Sequence, residues 1–300
     1  MQYSCRDVIS GGNGLNYNRE KLGFHHRETL YNKLKKIPIH LSEYSFANLY
    51  LFREVHNYEV LKMDDVFITG ITYDGMPYVM PTTDIRNIDS AMLYKLIDEF
   101  GAMFPVPEEW LSFFDTGKYE MTYNDGDTDY IYTLDTMREY AGKKLHNKRN
   151  LLYQFQRLYF HEAFPLTPER LGDARNVLAS WQEESGSAEH ETDYRACAEA
   201  LDLFTELELC GGMYYAEGEP AGFILGEDLS DNIFAFHFAK GKRKFKGLYQ
   251  FMYNSFAKIM PEQFCCFNFE QDLGMESLRR SKSSYHPTSM LKKYRVTLIK

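Results

Sequence analysis

One stretch of this 300-residue chain decides the fold: residues 232–248, which read NIFAFHFAKGKRKFKGL. Residues 232–239 are rich in aromatic side chains and contain no Lys, Arg, Asp or Glu, which predicts a buried strand. Five cations and two glycines then occupy residues 240–247, and residues 248–260 carry apolar side chains at helical spacing. A strand, a basic loop and a helix in this order present free backbone N–H groups and the positive end of the helix dipole, which suits phosphate.

The elements on either side extend this pattern into a recognisable order. Upstream, the sequence predicts two helices and a hairpin, and downstream it predicts a strand, a short helix and a last strand. The predicted bounds are helices 168–184 and 193–209, strands 213–216 and 221–225, then strand 265–270, helix 275–283 and strand 290–299. This order resembles that of the N-acetyltransferase, or acyl-CoA N-acyltransferase, fold.

The first half shows a less regular version of the same order. Two helices (26–36 and 42–55) precede strands 58–63, 66–72 and 77–81, and a helix follows at 89–100. We therefore expect an α/β (α+β) protein of two tandem acyltransferase-like domains, each with a mixed, mostly antiparallel sheet flanked by helices. The expected domains are 1–135 and 136–300, with a connecting basic helix over 136–160.

The composition favours a cytoplasmic protein. No run approaches the ~20 apolar residues that span a bilayer, and the N-terminus lacks a signal-peptide layout. The five cysteines form no C-x-x-C pair, which indicates reduced thiols rather than disulfides or a zinc site. The adjacent His25 and His26 do not by themselves imply a metal, and no metal is expected.

Charge is distributed unevenly along the chain. The net charge is −9, yet the stretches 138–157, 240–246 and 279–300 hold 18 of the 34 Lys and Arg residues and one carboxylate. Focused basic segments on an acidic protein are typical of local anion binding. We therefore expect the three stretches to form one positive surface for a phosphate-bearing ligand.

Three segments carry a family resemblance. These are Asn268 to Gly274 with Leu278, Arg279, Lys282, Tyr285 and Pro287 behind it, Gly142 to Asn150, and Ser45 to Leu49. Together they resemble a bacterial family related to the C-terminal domain of phosphatidylglycerol lysyltransferase. The resemblance implies two fused N-acyltransferase-fold halves. It also implies transfer of an aminoacyl group from charged tRNA to a lipid head group, or a related peptidyl transfer as in the Fem enzymes.

The basic loop is the first candidate ligand site. Its cations and the glycine that closes it (Lys242, Arg243, Lys244, Lys246 and Gly247) suit a phosphate group at the start of the following helix. In acetyltransferases this loop holds the pyrophosphate of CoA, with Gly or Ala where this chain has Tyr249. The phenol at that position disfavours ordinary CoA binding. The alternative is a solvated basic loop without a ligand.

The helix around residues 143–157 is the second candidate. Lys144 and Lys148 are one turn apart, with Lys143 and Arg149 beside them, and these four cations form a possible phosphate-binding face. The alternative is a helix face that is only hydrated.

The third candidate is the strand predicted at 265–270 with its continuation. On a strand, Asn268, Glu270 and Asp272 would share one face, and a carboxylate there could deprotonate or position an attacking amine. We expect at least one of the two carboxyl groups to have a raised pKa. Alternatively, both carboxylates are structural partners of cations such as Arg279 or Lys282.

His237 and Tyr285 are further candidates, each because of its position in the predicted fold. General bases of acetyltransferases often lie in the strand that here contains His237, although Ala239 replaces a carboxylate expected two residues later. Tyr285 is a candidate acid or substrate contact.

Three functions follow from these candidates. The leading hypothesis is a transferase that moves an acyl or aminoacyl group from acyl-CoA or aminoacyl-tRNA onto an amine or hydroxyl. Its donor would bind to the second half. Its acceptor, for example an anionic lipid head group, would bind in the cleft between the halves. The alternatives are a non-catalytic protein that binds tRNA, nucleotides or head groups in the same cleft, and an acetyl-CoA-dependent N-acetyltransferase. Tyr249 disfavours the last, Ala239 favours the second, and the face of Asn268, Glu270 and Asp272 favours the first.

Overall fold

Two β-sheets, one in each of two structural units, organise the chain in the computed structural model, which describes residues 8–10, 14–230 and 232–299. The first unit comprises Met1–Thr128 and Leu291–Lys300, and the second comprises Asp129–Met290. The last segment of the chain therefore belongs to the first unit.

In the first unit, eight strands form a mainly antiparallel sheet in the order β1-β2-β3-β4-β5-β6-β15-β7. Its strands are β1 (Val8–Ser10), β2 (Asn16–Lys21), β3 (Glu59–Lys62), β4 (Val66–Ile71), β5 (Pro77–Pro81), β6 (Met103–Val106), β7 (Tyr119–Tyr123) and β15 (Tyr294–Leu298), and its helices are α1 (Arg27–Leu34), α2 (Phe46–Leu51) and α3 (Ser90–Phe100). Among the described strands of this unit, β5 and β6 form the one parallel pair.

In the second unit, seven strands form a sheet in the order β14-β8-β13-β12-β11-β10-β9. Its strands are β8 (Asp129–Thr133), β9 (His161–Pro165), β10 (Cys210–Ala216), β11 (Glu219–Ser230), β12 (Ile233–Gly241), β13 (Cys266–Asn268) and β14 (Ser289–Leu291). Its helices are α4 (Leu134–Glu139), α5 (His146–Leu158), α6 (Leu171–Ser185), α7 (Tyr194–Asp202), α8 (Leu248–Ile259) and α9 (Glu276–Ser283).

Strand β13 pairs along its whole length with the start of β12. They are parallel, and their paired residues are Ile233 with Cys266, Phe234 with Phe267, and Ala235 with Asn268. β13 ends at Asn268, whereas β12 continues to Gly241. Beyond this point the edge of β12 faces the loop that follows β13.

The basic loop and α8 form as the sequence predicts. Gly247 has φ +87° and is the residue before α8, and a Cβ there would lie 2.2 Å from the carbonyl oxygen of Leu151 in α5. Only glycine allows both this backbone conformation and this approach. The close contact brings α5 against the start of α8.

The core of the second unit is built from aromatic side chains. Phe236 lies 4.5 Å from Phe267 and 4.8 Å from Phe269, measured between ring centroids, and Phe256 packs against both Phe234 and Phe236. The abundant aromatic residues of the sequence therefore fill the space between α8 and the sheet.

The structure differs from the sequence-based expectation at two places. The strand predicted over 290–299 is two strands in different sheets, β14 and β15. The strand predicted over 265–270 stops at Asn268, because Glu270 adopts a left-handed backbone with φ +57°. Whether the two units are copies of one fold stays a prediction.

The predicted fold class is confirmed: two mixed, mostly antiparallel sheets, each accompanied by helices. In the described part of the chain, every helix is too short or too polar to cross a bilayer.

Candidate functional site

A buried histidine between two carboxylates lies at the edge of β12. The Nε2 atom of His237 is 2.9 Å from Oε1 of Glu227 on β11, and its Nδ1 atom is 2.8 Å from Oε1 of Glu270. The His237 side chain is fully buried, and the Glu227 and Glu270 side chains are 9% and 12% exposed. Both ring nitrogens can donate at once only in the imidazolium form.

The two carboxylates determine the protonation of His237. Burial by itself lowers the pKa of this imidazole, but hydrogen bonds to Glu227 and Glu270 outweigh burial and raise the pKa to about 10. At neutral pH His237 is therefore a cation that has no lone pair for a proton. The prediction that His237 is a general base does not fit this geometry.

Glu270 is held in a strained backbone conformation. Its φ of +57° is uncommon for a residue other than glycine and costs roughly 1 kcal/mol. Its N–H donates to Oδ1 of Asn268 at 2.7 Å, and the Lys282 ammonium donates to the carbonyl oxygens of residues 269, 270 and 271. Lys282 thus holds the backbone of this loop in place through three hydrogen bonds. This structural role differs from the predicted contact with a ligand.

Asp272 is a structural carboxylate. It is fully buried and accepts two hydrogen bonds from Arg279, at 2.8 and 3.1 Å, one from the Tyr130 hydroxyl at 2.6 Å and one from the Gly274 N–H at 2.8 Å. Burial alone would raise the pKa of Asp272, but Arg279, Tyr130 and the Gly274 N–H lower it. The expectation of a raised pKa is thus wrong for Asp272, which pairs with Arg279 as the alternative interpretation held.

Asn268, Glu270 and Asp272 do not share one strand face. Asn268 is buried and donates from Nδ2 to Oδ2 of Asp129 at 3.0 Å, Glu270 contacts His237, and Asp272 contacts Arg279. The alternation argument fails because the strand ends at Asn268 and the next residues turn.

Protein carboxylates already neutralise part of the basic loop. Lys240 is buried, donates to Asp193 at 2.6 and 2.7 Å, and lies 3.6 Å from the Trp181 ring. Lys242 and Lys244 both pair with Glu219, at 3.3 and 2.6 Å. Arg243 and Lys246 are exposed. Three of the five cations of this loop therefore have carboxylate partners within the chain.

The first turn of α8 has a cation beside it that comes from α5. The ammonium of Lys148 lies 3.8 Å from the centre of the Tyr285 ring, and the Tyr285 hydroxyl accepts a hydrogen bond of 2.6 Å from Gln250 in that turn. Burial lowers the pKa of Lys148. Among the described residues, no carboxylate forms an ion pair with Lys148.

Aromatic side chains connect Lys148 to the loop after β13. We call Tyr249, Tyr253, Phe269 and Tyr285 the aromatic cluster. The Tyr253 ring lies 4.8 Å from Phe269, 5.6 Å from Tyr285 and 6.2 Å from Tyr249, between centroids. Tyr249 and Tyr253 are half-buried, and burial raises the pKa of Tyr249 to about 12 even though a hydrogen bond with the Gly241 backbone lowers it. Both hydroxyls stay neutral at physiological pH and can donate to a ligand.

The remaining predicted cations have varied surroundings. Lys143 and Lys144 are exposed, whereas Arg149 donates to the carbonyl oxygens of Tyr140 and Gly142, which lie just after α4. Arg149 therefore has a structural role.

The cations at the end of the chain are paired inside the first unit. Lys293 is fully buried against Glu43 at 2.7 Å, and Arg295 contacts Asp74 and Asp127 at 2.7 and 2.8 Å. These two cations are not part of a ligand-binding surface, because the chain itself neutralises them. The stretch 279–300 thus contributes less free positive charge than its composition indicates.

Sequence reasoning missed three residues of this region. Glu227, Gln250 and Tyr253 each contact a predicted residue, yet none stands in a motif. For Glu227 a signal exists: this carboxylate directly follows the apolar run 221–226 of β11, and a carboxylate buried there calls for a partner.

The comparisons with known proteins agree with the resemblance found in the sequence. The family described as "Phosphatidylglycerol lysyltransferase, C-terminal" matches residues 34–297. A conserved protein of unknown function from Bacteroides thetaiotaomicron is 27% identical with a TM-score of 0.80, covering 94% of this chain and 99% of that chain. No curated protein matches.

Two solved structures share the fold at lower identity. The C-terminal domain of a candidate lysylphosphatidylglycerol synthetase from Agrobacterium fabrum has a TM-score of 0.63 at 13% identity, covering 91% of this chain and 92% of that chain. L-PGS from Bacillus licheniformis has a TM-score of 0.57 at 16% identity, covering 90% and 91%.

Proposed function

This chain belongs to the family of the phosphatidylglycerol lysyltransferase C-terminal domain, and we propose that it transfers an aminoacyl or acyl group to an amine or hydroxyl acceptor. The donor carries phosphate and binds at the start of α8. Aminoacyl-tRNA is the donor class that fits best, and acyl-CoA is the second. The acceptor class includes anionic lipid head groups.

One observation carries the proposal: a half-buried lysine without an ion-pair partner in the described part of the chain stands next to a helix N-terminus. Lys148 and the first turn of α8 are connected through Tyr285 and Gln250. Two positive features at one place repel each other unless an anion joins them. A phosphate group at this position would accept hydrogen bonds from Lys148 and from backbone N–H groups.

The aromatic cluster supplies the uncharged part of the proposed site. Lys148 lies on the Tyr285 ring, Tyr253 contacts Tyr285, and Tyr249 contacts Tyr253. These tyrosines offer ring faces and hydroxyl donors. Such surfaces bind nucleic-acid bases by stacking, with about 1–3 kcal/mol per base in single-stranded recognition. The single-stranded end of a tRNA has this character, whereas Tyr249 leaves less room for the diphosphate of CoA.

The transfer itself places modest demands on the protein. The acceptor nitrogen or oxygen attacks the carbonyl carbon of the donor, the bond to the donor's ester oxygen or thioester sulfur breaks, and the acceptor's proton ends on that leaving atom. His237 is protonated and Asp272 is fully engaged. We therefore propose catalysis mainly by positioning, with Glu270 as the carboxylate that orients the acceptor.

The strained backbone of Glu270 supports this role. Strain in a residue with φ +57° persists only where surrounding contacts impose it, and Asn268 and Lys282 do so here. The same contacts keep the Glu270 carboxylate beside His237 of β12, at a point where β13 has already ended.

A second function is favoured because the protonated His237 ring has no lone pair that could accept a proton from the acceptor. A protein that binds aminoacyl-tRNA or an anionic head group without turnover would need the cations and the aromatic cluster but no base. This binding protein is the alternative proposal.

A transfer assay separates the possibilities. The full chain is mixed with lysyl-tRNA labelled in the aminoacyl group and with vesicles that contain phosphatidylglycerol, then with soluble amines, and label outside the tRNA is measured. Label in an acceptor supports the transferase. Tight tRNA binding without label transfer supports the binding protein. Stoichiometric acetyl-CoA binding without tRNA binding would exclude aminoacyl-tRNA both as the donor and as the bound ligand, and would indicate an acetyl-CoA-dependent acyltransferase.

A further inference from the structure

Three metal-ligating side chains converge in the first unit, at the end of β2. The Nε2 atom of His26 lies 2.8 Å from Oε1 of Glu20, and Nε2 of His25 lies 3.9 Å from Oε2 of Glu20. One ligand atom from each residue lies within 4.8 Å of the others. Neighbouring residues commonly point apart, but the His25 and His26 rings are only 3.9 Å apart between centroids.

We propose that Glu20, His25 and His26 form a binding site for a divalent transition-metal ion of the zinc type. Two imidazoles and one carboxylate are a recurrent donor set for Zn²⁺, with bonds of about 2.0–2.2 Å to each ligand atom. Ligand atoms around such an ion are roughly 3.4 Å apart, so the present separations need only small side-chain adjustments. In the described part of the chain the group has three protein donors, and water would complete the coordination.

The surroundings of His26 orient its ring for this purpose. The ring is buried, and its Nδ1 atom lies 3.2 Å from the carbonyl oxygen of Gly23. Without an ion, Nδ1 accepts a hydrogen bond from the Gly23 N–H at 3.1 Å and Nε2 donates to Glu20. Binding of an ion at Nε2 requires the other tautomer, in which Nδ1 donates to the Gly23 carbonyl and the lone pair of Nε2 points at the ion. Metal-binding histidines are commonly fixed by such a hydrogen bond to a backbone carbonyl.

The proposed metal site is open to solvent, and a lysine competes with an ion for it. The His25 side chain is 64% exposed and that of Glu20 is 42% exposed, so an ion can enter from solvent. The ammonium of Lys62 donates to Oε1 of Glu20 and occupies the place of a cation. Its side chain is 44% exposed and can move into solvent when an ion binds.

Titration of the full chain with Zn²⁺ by calorimetry tests this site. We expect one equivalent to bind, and His25→Ala and Glu20→Gln to weaken binding by at least about tenfold. Lys62→Met should bind more tightly than the wild type, because the competing ammonium is gone. His190→Ala, which removes an exposed histidine of the second unit, is the matched control and should bind like the wild type.

Melting temperatures and the control variants distinguish loss of the metal site from a folding defect. Bound Zn²⁺ should raise the melting temperature of the wild type and of Lys62→Met, because an ion that binds the native state stabilises it. Equal affinity of the wild type and His25→Ala would exclude the site. Equal losses in His25→Ala and His190→Ala, or weaker binding by Lys62→Met, would exclude it as well.

Discussion

The ammonium of Lys148 lies 3.8 Å from the centre of the Tyr285 ring, and this contact places a half-buried cation near the start of α8. Desolvation lowers the pKa of Lys148, so the charge is kept there at a cost in stability. A bound anion would remove that cost. Most cations of the basic loop, in contrast, already have carboxylate partners in the chain.

The ion pairs of His237 with Glu227 and Glu270 should stabilise the fold at neutral pH and stabilise it less as the pH becomes alkaline. The folded pKa of about 10 exceeds the unfolded value near 6.5. The contribution is therefore fully present below pH 6.5 and is lost as the pH rises towards 10. We expect the difference in free energy of unfolding between the wild type and His237→Phe to shrink from pH 6.5 to pH 9.5. Urea unfolding at both values checks this, and a difference that stays constant would contradict the imidazolium assignment.

Asp272 should matter for stability rather than for proton transfer. Asp272→Asn leaves Arg279 and the Tyr130 hydroxyl with a weaker acceptor and should lower the free energy of unfolding by about 1–3 kcal/mol. Because the folded pKa is lowered, the contribution is present above the unfolded pKa and is lost as the pH falls below it. The gap between wild type and variant should thus narrow on going from pH 6 to pH 3.

The comparison variant for this prediction is Glu270→Gln. It retains the shape of a side chain that we propose to orient the acceptor, and it should reduce transfer by about 10- to 100-fold with donor binding unchanged. Full activity of Glu270→Gln, or loss of activity without loss of stability in Asp272→Asn, would reverse the two roles.

Tyr249 should limit the affinity for acetyl-CoA. It is the second residue of α8 and packs against Tyr253, where acetyltransferases place a residue without a large side chain. We expect weak acetyl-CoA binding by the wild type and tighter binding by Tyr249→Ala, measured by calorimetry. Tight stoichiometric binding by the wild type would remove the steric argument.

Local sequence signals were sufficient for the strand, loop and helix at residues 232–260. Gly247 and the apolar periodicity of α8 are properties of adjacent residues, and the structure reproduces the expected order. The loop after β13 was mispredicted, because alternation holds only while the strand continues. Its turn depends on Lys282, which reaches three carbonyl groups from a separate helix.

The pairing of Glu227 with His237 could not be predicted for a related reason. Glu227 is opposite Ala235, so His237 is its diagonal neighbour on the same face of the sheet. That register depends on an irregularity between Leu225 and Gly226. A shift of one residue moves a side chain to the other face, and the sequence does not reveal where such an irregularity falls.

The role of Lys148 in binding a donor phosphate is tested by the affinity for lysyl-tRNA of the wild type, Lys148→Met and Lys258→Met, measured over a series of salt concentrations. Lys258 is exposed at the opposite end of α8 and serves as the matched control. If Lys148 binds a donor phosphate, Lys148→Met should weaken binding by about tenfold or more and lower the salt slope by about one, while Lys258→Met leaves both unchanged. Equal affinities and equal slopes for the two variants would contradict the claim.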